Sequence, residues 1–463
     1  MTRFVARYVP PEMAALWVFE LLLTAAGIDA LIGGWPGGDG GAGLATEFGR
    51  LPHAVVIAAI IAGSGLLIGL YRTEICLQRR RLVLNAAIAA IIAFPVALVV
   101  GGQFSAGISH VYAIWLVKVL ALWLGFVVFS RQVLRRAFAR RLFVRRIVVV
   151  GPAAAAACEQ VRRHAPGRFE LLVAEPDAPD RDSVPAVASA AGGHRVWAIL
   201  VADPPAQAPR DTLVPSDPPV APAPADPRLR GVRMFSLAGF WEHCLGRVNL
   251  DRLDRAWFLS GDGFADHRFG VLAKRALDLS VSLVLLVLTF PLMLMVALAV
   301  KLDSPGPVLY RQRRVGLHGR VFTLLKFRSM RADAEAGGTP RWAARKDDRV
   351  TRVGRLIRST RIDELPQLLN VLTGDMSLVG PRPERPHFVE QLTAVIPFYA
   401  ERARVKPGIT GWAQVKYPYG ASVEDAREKL SFDLYYLKNR GLLLDLLILI
   451  STFRVILFRE GAR

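Results

Sequence analysis

The stretch RLIRSTRIDELPQLLNVLTGDMSLVGPRP (Arg355–Pro383) contains an adjacent acid pair, Asp363 and Glu364, between a cluster of arginines and an apolar segment. Pro366 follows the pair closely, and proline suits the first turn of a helix because no N–H donor is needed there. The leucines and valine that come next predict an apolar helix face, and Gly374 predicts the end of that helix. The pair is therefore predicted at a helix N-terminus, where free N–H groups and the helix dipole also attract phosphate.

Basic residues surround the acid pair in the sequence. Arg355, Arg358 and Arg361 precede it, and Arg382 follows. Carboxylates among arginines at a helix start suit phosphoryl transfer, in which a carboxylate serves as nucleophile or metal ligand and the guanidinium groups bind phosphate. An isolated Asp-Glu pair before a helix is more often an N-cap with a favourable dipole partner. The wider sequence has to decide between these two interpretations.

Three segments resemble, in order, the motifs of one enzyme family: KFRSM (326–330), RSTRIDELPQLLNVLTGDMSLVGPRP (358–383) and VKPGITGWAQV (405–415). They are similar to the motifs of bacterial polyprenyl-phosphate sugar-1-phosphate transferases. These are the monotopic phosphoglycosyl transferases that start exopolysaccharide and O-antigen assembly. The resemblance extends from about Leu272 to the C-terminus, and the N-terminal half resembles the large members of this bacterial sugar transferase family only in its layout.

The resemblance implies that a UDP-sugar and undecaprenyl phosphate are the substrates, and that a sugar-1-phosphate moves to the lipid phosphate with release of UMP. It implies that Asp363 attacks the sugar-bearing phosphorus to give an aspartyl phosphosugar, which the lipid phosphate then attacks. Glu364, with Asp363, is implied to hold Mg²⁺, an ion that prefers hard oxygen ligands. The implied phosphate-binding residues are Lys326, Arg358, Arg382, Arg402 and Arg404. Family frequency favours glucose-1-phosphate first and galactose-1-phosphate second.

Two further residues near the third motif are candidates for contact with the sugar or the uridine. Gln414 carries an amide suited to hydrogen bonding. Trp412 suits a position in the core equally well.

The composition indicates a membrane protein with basic surfaces. The 463 residues include 59 Lys and Arg against 39 Asp and Glu, which gives a formal net charge of +20, and the mean hydropathy is +0.33. Apolar segments with excess arginine suit a protein that faces anionic lipid or phosphate. Nucleic-acid binding is the competing interpretation, but the chain has no zinc-finger spacing, RNA-recognition signature or basic-zipper pattern. Cys76, Cys158 and Cys244 form no metal or disulfide pattern, which fits a reducing compartment.

Four apolar segments lie near the N-terminus, each close to the roughly 20 residues that a helix needs to cross a bilayer. They are 13–33, 51–71, 82–101 and 110–130. Arginines cluster before the first segment, between the second and third, and after the fourth. The other two loops contain a single basic residue, Arg50. By the positive-inside rule, both ends of this bundle are predicted on the cytoplasmic side. Glu20 and Lys118 fall inside the segments, and an interhelical ion pair between them, or snorkelling, is favoured over a role in transport.

A βαβ pattern follows, over about 146–260. RIVVVG and two later apolar runs, FELLVAEP and VWAILVAD, predict buried strands, and a helix is predicted after Gly151. The pattern favours a Rossmann-like domain. Only one glycine of the dinucleotide-binding fingerprint is present, so a structural or regulatory role is favoured over dinucleotide binding. The segment 203–227 is rich in Pro, Ala and Asp and is predicted to be a disordered insertion.

A fifth apolar segment, 276–300, is long enough to cross a bilayer but is predicted not to cross it. A crossing would export Lys326 and the arginines around Asp363, against the positive-inside rule. Basic residues flank both ends, and Pro291 near the middle can break a helix because it lacks an N–H donor. The segment is therefore predicted to form a re-entrant helical hairpin in the cytoplasmic leaflet, which the resemblance also implies. A plain transmembrane helix is the alternative.

Beyond this segment, the pattern predicts two strands around a Gly-containing turn that end at Lys326, and a mobile polar loop over 332–348. A helix interrupted at Pro397 is predicted over 384–403, and an amphipathic helix over 423–438. The final apolar segment, 442–458, is short for a span and is predicted to lie in the membrane interface.

Taken together, the sequence predicts a membrane α/β protein of the bacterial inner membrane, with its catalytic face in the cytoplasm. The predicted parts are a four-helix transmembrane bundle (1–132), a Rossmann-like domain (146–260) and a monotopic catalytic domain with a re-entrant helix (270–463). The predicted partners are a UDP-sugar, undecaprenyl phosphate and membrane lipid, without nucleic acid, and a homodimer is plausible.

Two other function classes compete with this prediction. A catalytically silent membrane scaffold would use the Rossmann-like domain and the basic surface to recruit assembly partners, and it would tolerate loss of both Asp363 and Glu364. A processive membrane glycosyltransferase would need a D-x-D site and a Q-x-x-R-W motif, and the sequence contains neither.

Overall fold

The computed structural model describes residues 11–33, 50–71, 79–102, 110–139, 145–165, 169–173, 196–202, 232–253, 256–259, 268–331, 334, 349–417, 420 and 422–458. The chain divides into two compact units, Met1–Val144 and Arg145–Arg463. The predicted insertion 203–227 and, apart from Ala334, the predicted loop 332–348 lie outside the described residues.

Among its described residues, the first unit contains four helices, as the apolar segments predict. They are α1 (Pro11–Gly33), α2 (Arg50–Ile68), α3 (Arg79–Gly102) and α4 (His110–Ala139). Consecutive helices pack against each other, and α1 also contacts α4. Among the described residues, the windows Met13–Ala30, Leu82–Val100 and Tyr112–Ala137 are long and apolar enough to cross a membrane, whereas the apolar part of α2, Ala54–Ile68, is shorter.

The buried acid of this bundle has a different partner from the one predicted. The side chains of Glu20 and Arg131 are fully buried and form an ion pair between α1 and α4. Tyr71 and Ser130 also donate hydrogen bonds to the Glu20 carboxylate, at 2.7 and 2.8 Å. Lys118 is exposed. The predicted Glu20–Lys118 pair is therefore wrong, because the partner comes from the last turns of α4, which extends further than the apolar segment that defined its expected end.

The second unit begins with a four-stranded parallel sheet in the order β2-β1-β3-β4. Its elements are β1 (Arg145–Val150), α5 (Ala154–His164), β2 (Phe169–Val173), β3 (Ala198–Val201), β4 (Arg233–Ser236) and the short α6 (Leu237–Phe240). The three predicted strands and the predicted helix are confirmed. At Gly151 the backbone has φ of 113°, and a Cβ there would lie 2.6 Å from the carbonyl oxygen of Ala202, so the tight turn after β1 requires glycine.

Helix α7 (Arg268–Asp303) is one continuous helix with Pro291 inside it. The hairpin predicted for 276–300 is wrong in this respect, because the structure has no turn between two helices there. Proline removes one backbone hydrogen bond. In an apolar segment the remaining N–H and C=O groups can be satisfied only by continuing the helix, so one lost bond does not end it. By length and composition, the described residues Phe269–Asp303 could also cross a membrane.

Both halves of α7 are packed against the rest of the second unit. In the first half, the Asp278 carboxylate accepts a hydrogen bond from the backbone N–H of Leu378 at 3.1 Å. In the second half, Val296 and Val300 pack into one buried cluster with Phe327. The middle of the helix, from residue 283 to residue 290, is largely exposed and almost wholly apolar.

The remaining helices and strands follow α7 in the chain. They are the antiparallel hairpin β5 (Leu309–Val315) and β6 (Val321–Phe327), α8 (Arg352–Ser359), α9 (Gln367–Thr373), β7 (Ser377–Val379), α10 (Pro386–Val395), β8 (Gly408–Thr410), α11 (Trp412–Lys416), α12 (Val423–Asn439) and α13 (Leu442–Phe458). Strands β7 and β8 pair in parallel. The predicted hairpin and the two C-terminal helices are confirmed. The predicted interruption near Pro397 is also confirmed, because α10 ends before it and a 3-10 turn (Tyr399–Arg404) follows.

The parallel-sheet domain is docked on α12. Val248 donates a backbone hydrogen bond to the carbonyl of Ser431 at 3.0 Å. Close by, Arg247 forms a largely buried ion pair with Glu428. These contacts join the segment that follows β4 to α12.

Candidate active site

The acid pair lies in a single 3-10 turn, Ile362–Glu364, directly before α9. Arg361 enters this turn with φ of 59°, in the left-handed region that residues other than glycine rarely adopt. Gly374 ends α9 in the same region, as predicted. Asp363 and Glu364 are 9% and 8% exposed, so this turn places two neighbouring carboxylates in a nearly buried position.

Lys326 reaches the pair from the end of β6. Its Nζ lies 3.2 Å from Oε1 of Glu364. Asn370 on α9 fixes this approach, because its amide donates to the carbonyl of Thr323 at 2.9 Å and accepts from the N–H of Leu325 at 3.0 Å. One side chain thus attaches strand β6 to the helix that follows the acids. The sequence signal was available, since Asn370 is a polar residue within an apolar helical run.

Arg382, in the loop after β7, contacts the same oxygen of Glu364 as Lys326 does. Its Nη2 lies 3.1 Å from Oε1 of Glu364, and its Nη1 lies 3.3 Å from Oε1 of Gln414. The segment that carries it leaves β7 at Gly380, where a Cβ would lie 2.3 Å from the carbonyl oxygen of Lys406. The close β7–β8 approach therefore requires glycine at this position. The guanidinium of Arg361 is a looser neighbour of Glu364, at 3.9 Å.

Arg402 is directed at protein groups. Its Nη2 donates to the backbone carbonyl of Arg382 at 3.0 Å and to the carboxylate of Asp433 at 2.8 Å, and its Nη1 donates to the Tyr399 hydroxyl at 2.6 Å. Although burial alone disfavours the charged form, Tyr399 and Asp433 hold the pKa of Arg402 above its ordinary value. The geometry thus makes Arg402 a support for Arg382. Asp433 carried no sequence signal, because it lies within an ordinary amphipathic pattern.

The other predicted phosphate-binding residues take different positions. Arg358 lies in the last turn of α8 and is half-buried, and its charge acts on Asp363. Arg404 forms an ion pair with Glu401, and its guanidinium lies 5.3 Å from the ring centre of Phe258. Arg358 is therefore near the acid pair, whereas Arg404 belongs to the neighbouring 3-10 turn.

The two candidates from the third motif also separate. Trp412 is buried, stacks on Tyr435 at 6.0 Å between ring centres, and donates its indole N–H to the carbonyl of Gly246 at 2.7 Å. Trp412 therefore belongs to the core, which is one of the two positions that the sequence predicts for it. Gln414 faces the site through Arg382, and its buried amide nitrogen has no hydrogen-bond partner among the described residues.

The two carboxyl groups differ in acidity for physical reasons. Burial, followed by the charge of Glu364, raises the pKa of Asp363 to about 6 against the opposing effect of Lys326. Burial also disfavours the Glu364 carboxylate, but Lys326 and Arg382 outweigh it and hold the pKa of Glu364 well below its usual range. In turn, burial lowers the pKa of Lys326. Glu364 is therefore a permanent anion, and Asp363 is a carboxylate that takes up a proton more readily.

The donor set suits a divalent cation bound jointly with substrate. Within the described residues, no group of three or more His, Cys, Asp or Glu side chains could hold a metal ion. Asp363 accepts no side-chain hydrogen bond among these residues, and the described bonds to Glu364 all reach Oε1. Carboxylate oxygens thus remain for Mg²⁺, which commonly takes one or two carboxylates and completes its shell with phosphate and water.

The profile of the family described as bacterial sugar transferase matches residues 269–459, from the first turn of α7 to just beyond α13. A protein of Caulobacter vibrioides named UDP-glucose:undecaprenyl-phosphate glucose-1-phosphate transferase is 48% identical over 193 residues, which are 41% of this chain and 72% of that protein. The chain belongs to the bacterial sugar transferase family. The family region includes the acid pair and, among the described residues, the three cations that pair with Glu364, which are Lys326, Arg361 and Arg382.

Other family members match over different lengths. The UDP-N-acetylgalactosamine-undecaprenyl-phosphate N-acetylgalactosaminephosphotransferase of Aeromonas hydrophila is 45% identical in an alignment of 250 residues that covers 50% of this chain and 59% of that protein. The UDP-glucose:undecaprenyl-phosphate glucose-1-phosphate transferase of Escherichia coli strain K12 is 44% identical over 183 residues, 39% of each chain. The Aeromonas match is longer than the 191-residue family region, so this sugar transferase shares sequence with that relative outside it.

Proposed function

We propose that this protein transfers a sugar-1-phosphate from a UDP-sugar to undecaprenyl phosphate and releases UMP. The observation that carries the proposal is the buried acid pair, in which Lys326 and Arg382 neutralise Glu364 and leave Asp363 beside it without a hydrogen bond among the described residues. This arrangement offers a nucleophile next to groups that bind phosphate. The relatives named above support the same reaction.

Asp363 is the proposed nucleophile. A carboxylate oxygen of Asp363 forms a bond to the sugar-bearing phosphorus, and the bond from that phosphorus to the bridging oxygen breaks, so UMP leaves with the electron pair. A phosphate oxygen of undecaprenyl phosphate then attacks the same phosphorus and releases the Asp363 carboxylate. Lys326 and Arg382 are placed to stabilise the negative charge that develops on the phosphoryl oxygens in both steps.

Asp363 and Glu364 are also the proposed ligands of Mg²⁺. When bound there, the ion would neutralise diphosphate charge and complete its coordination with phosphate oxygens. Release of UMP that persists unchanged after treatment with EDTA would exclude this assignment.

The proposed location is the cytoplasmic side of the bacterial inner membrane, with α7 embedded in the cytoplasmic leaflet so that both of its ends stay on the cytoplasmic side. Both halves of α7 contact the second unit, and its middle exposes apolar side chains. The wide spread of arginine around the acid pair disfavours export of this region. This placement lets a soluble nucleotide sugar and a lipid phosphate reach the same carboxylates.

Cysteine labelling tests the placement of α7. In a variant without Cys76, Cys158 and Cys244, we expect single cysteines at Arg163→Cys and Arg320→Cys to be protected equally from an impermeant maleimide in intact spheroplasts. The two exposed positions lie before and after α7. Labelling of Arg320→Cys but not of Arg163→Cys in intact spheroplasts would show instead that α7 crosses the bilayer.

Replacement of the nucleophile separates the two half-reactions. We expect Asp363→Asn to abolish sugar-phosphate transfer and also the exchange of labelled UMP into UDP-sugar, because the exchange needs the covalent intermediate but no lipid. Asp375→Asn, at an exposed position beyond α9, serves as the matched control and should retain both activities. Exchange that persists in Asp363→Asn would show that another group attacks the phosphorus.

The raised pKa of Asp363 predicts the acid limb of the pH profile. Because only the carboxylate attacks, kcat/KM for the UDP-sugar should be constant above about pH 7 and should fall about tenfold per pH unit below about pH 6. This parameter reports the free enzyme and the free UDP-sugar, whose diphosphate does not titrate in this range. A profile that is flat from about pH 5 to pH 7 would contradict the assignment.

The proposed donor is UDP-glucose, for which the Caulobacter and Escherichia relatives are named. With purified membranes, we expect UMP release from UDP-glucose at least about tenfold above that from UDP-galactose. UDP-N-acetylgalactosamine is the competing donor, because the Aeromonas relative is named for it. Faster UMP release from that substrate would reassign the sugar and leave the reaction class unchanged.

A further inference from the structure

A cavity of about 310 Å³ is lined in part by Arg382, the residue that also contacts Glu364 of the acid pair. Most of its walls come from three segments: the turn between β5 and β6, the residues Pro381 to Glu384 after β7, and the 3-10 turn Tyr399–Arg404. Val389 of α10, Val405 and Pro407 complete the lining. Arg382 is part of this lining and also holds Glu364 at 3.1 Å. The cavity therefore adjoins the phosphate-binding side of the site through one shared guanidinium.

The charged groups in the lining are already paired. Arg402 is bound to Asp433, and Arg404 is bound to Glu401. Glu384 lies 3.5 Å from the guanidinium of Arg314. Because Arg402 and Arg404 are already engaged by carboxylates, they offer little free positive charge to a phosphate inside the cavity, whereas Glu384 and Glu401 can accept hydrogen bonds from hydroxyl groups. The charge distribution thus favours an uncharged, hydroxyl-bearing part of a ligand.

The apolar part of the lining is rigid. It includes Val315, Pro381, Pro383, Val389, Val405 and Pro407. Proline rings and β-branched valines have few conformations to lose when a ligand binds, so they form preorganised walls. Such walls suit the flat face of a heterocyclic base. A hexose is suited less well, because its hydroxyl groups point in all directions and each needs a polar partner when buried.

We propose that this cavity binds the uridine of the UDP-sugar donor. The proposal rests on the proposed function and extends it to the position of the nucleoside. With uridine in the cavity, Arg382 binds the diphosphate where it leaves the cavity, and the sugar-bearing phosphorus lies toward Asp363. The cavity then selects the leaving group, and the sugar lies on the other side of the acid pair. A volume near 310 Å³ is at the lower end of the range typical of ligand pockets and suits a nucleoside.

Filling the cavity tests the proposal without changing a charged group. Ala403 is a lining residue on the 3-10 turn, and Ala403→Leu adds three carbon atoms to the cavity. We expect this variant of the full-length enzyme to bind UMP about tenfold more weakly by titration calorimetry and to raise KM for the UDP-sugar by a similar factor. KM for undecaprenyl phosphate should change less than about twofold. Ala394→Leu, at an exposed position of α10 outside the lining, is the matched control and should leave all three values unchanged.

The outcomes distinguish the alternatives. Unchanged UMP affinity with a raised KM for UDP-sugar would place the sugar in the cavity, and a raised KM for undecaprenyl phosphate alone would place the acceptor there. No change in any value would remove the cavity from the donor site while the proposed function stands. Failure of the unmodified enzyme to bind UMP would overturn both proposals. If Ala403→Leu lowers the melting temperature, the smaller substitution Ala403→Val is used to compare the same UMP affinity and KM values.

Discussion

The Glu364 carboxylate, buried and held by Lys326 and Arg382, is the interaction on which the site depends. A buried anion is tolerated only when cations and hydrogen bonds compensate for its lost hydration. Here the compensating groups come from the end of β6 and from the loop after β7, so the anion is stable only when both segments are in place. The same cations are those that suit a diphosphate. One cluster therefore meets a requirement of folding and, in the proposed function, a requirement of catalysis.

Two further side chains, Asn370 and Arg402, act as supports that hold these cations in position. Asn370 attaches β6 to α9 and thereby fixes the position of Lys326 relative to Glu364. Arg402 binds the backbone of Arg382 and is itself fixed by Asp433 on α12. The first support joins neighbours across 47 residues of chain and the second across 20 and 31. Because the hydrogen bonds made by both supports are partly buried, loss of either leaves unsatisfied groups in addition to misplacing a cation.

The features that the sequence predicted are those that local chemistry determines. Pro366 and Gly374 bound α9 through their own backbone preferences, and the alternation of β5 and β6 identifies the hairpin. The role of Arg402 could not be found in this way, because it depends on Asp433 in a distant helix. For the same reason the sequence predicts an ion pair between Glu20 and Lys118, whereas packing brings Glu20 to Arg131. Partner choice between distant charges depends on the fold, and a residue count along the chain does not supply it.

Helix α7 shows why the acid pair and the apolar surface form one structural element. Arg275 donates to the carbonyls of Val371 and Leu372 at 2.7 and 2.8 Å, which caps the C-terminal end of α9. One turn further along, Asp278 accepts the N–H of Leu378 in β7. The first turns of α7 thus bind the segments on both sides of Gly374, one leading back to the acids and the other forward to Arg382. These bonds fix the segment that carries Asp363 to the helix that carries the exposed apolar surface. In the proposed membrane placement, the depth of that helix in the bilayer therefore also sets the distance of Asp363 from a lipid phosphate.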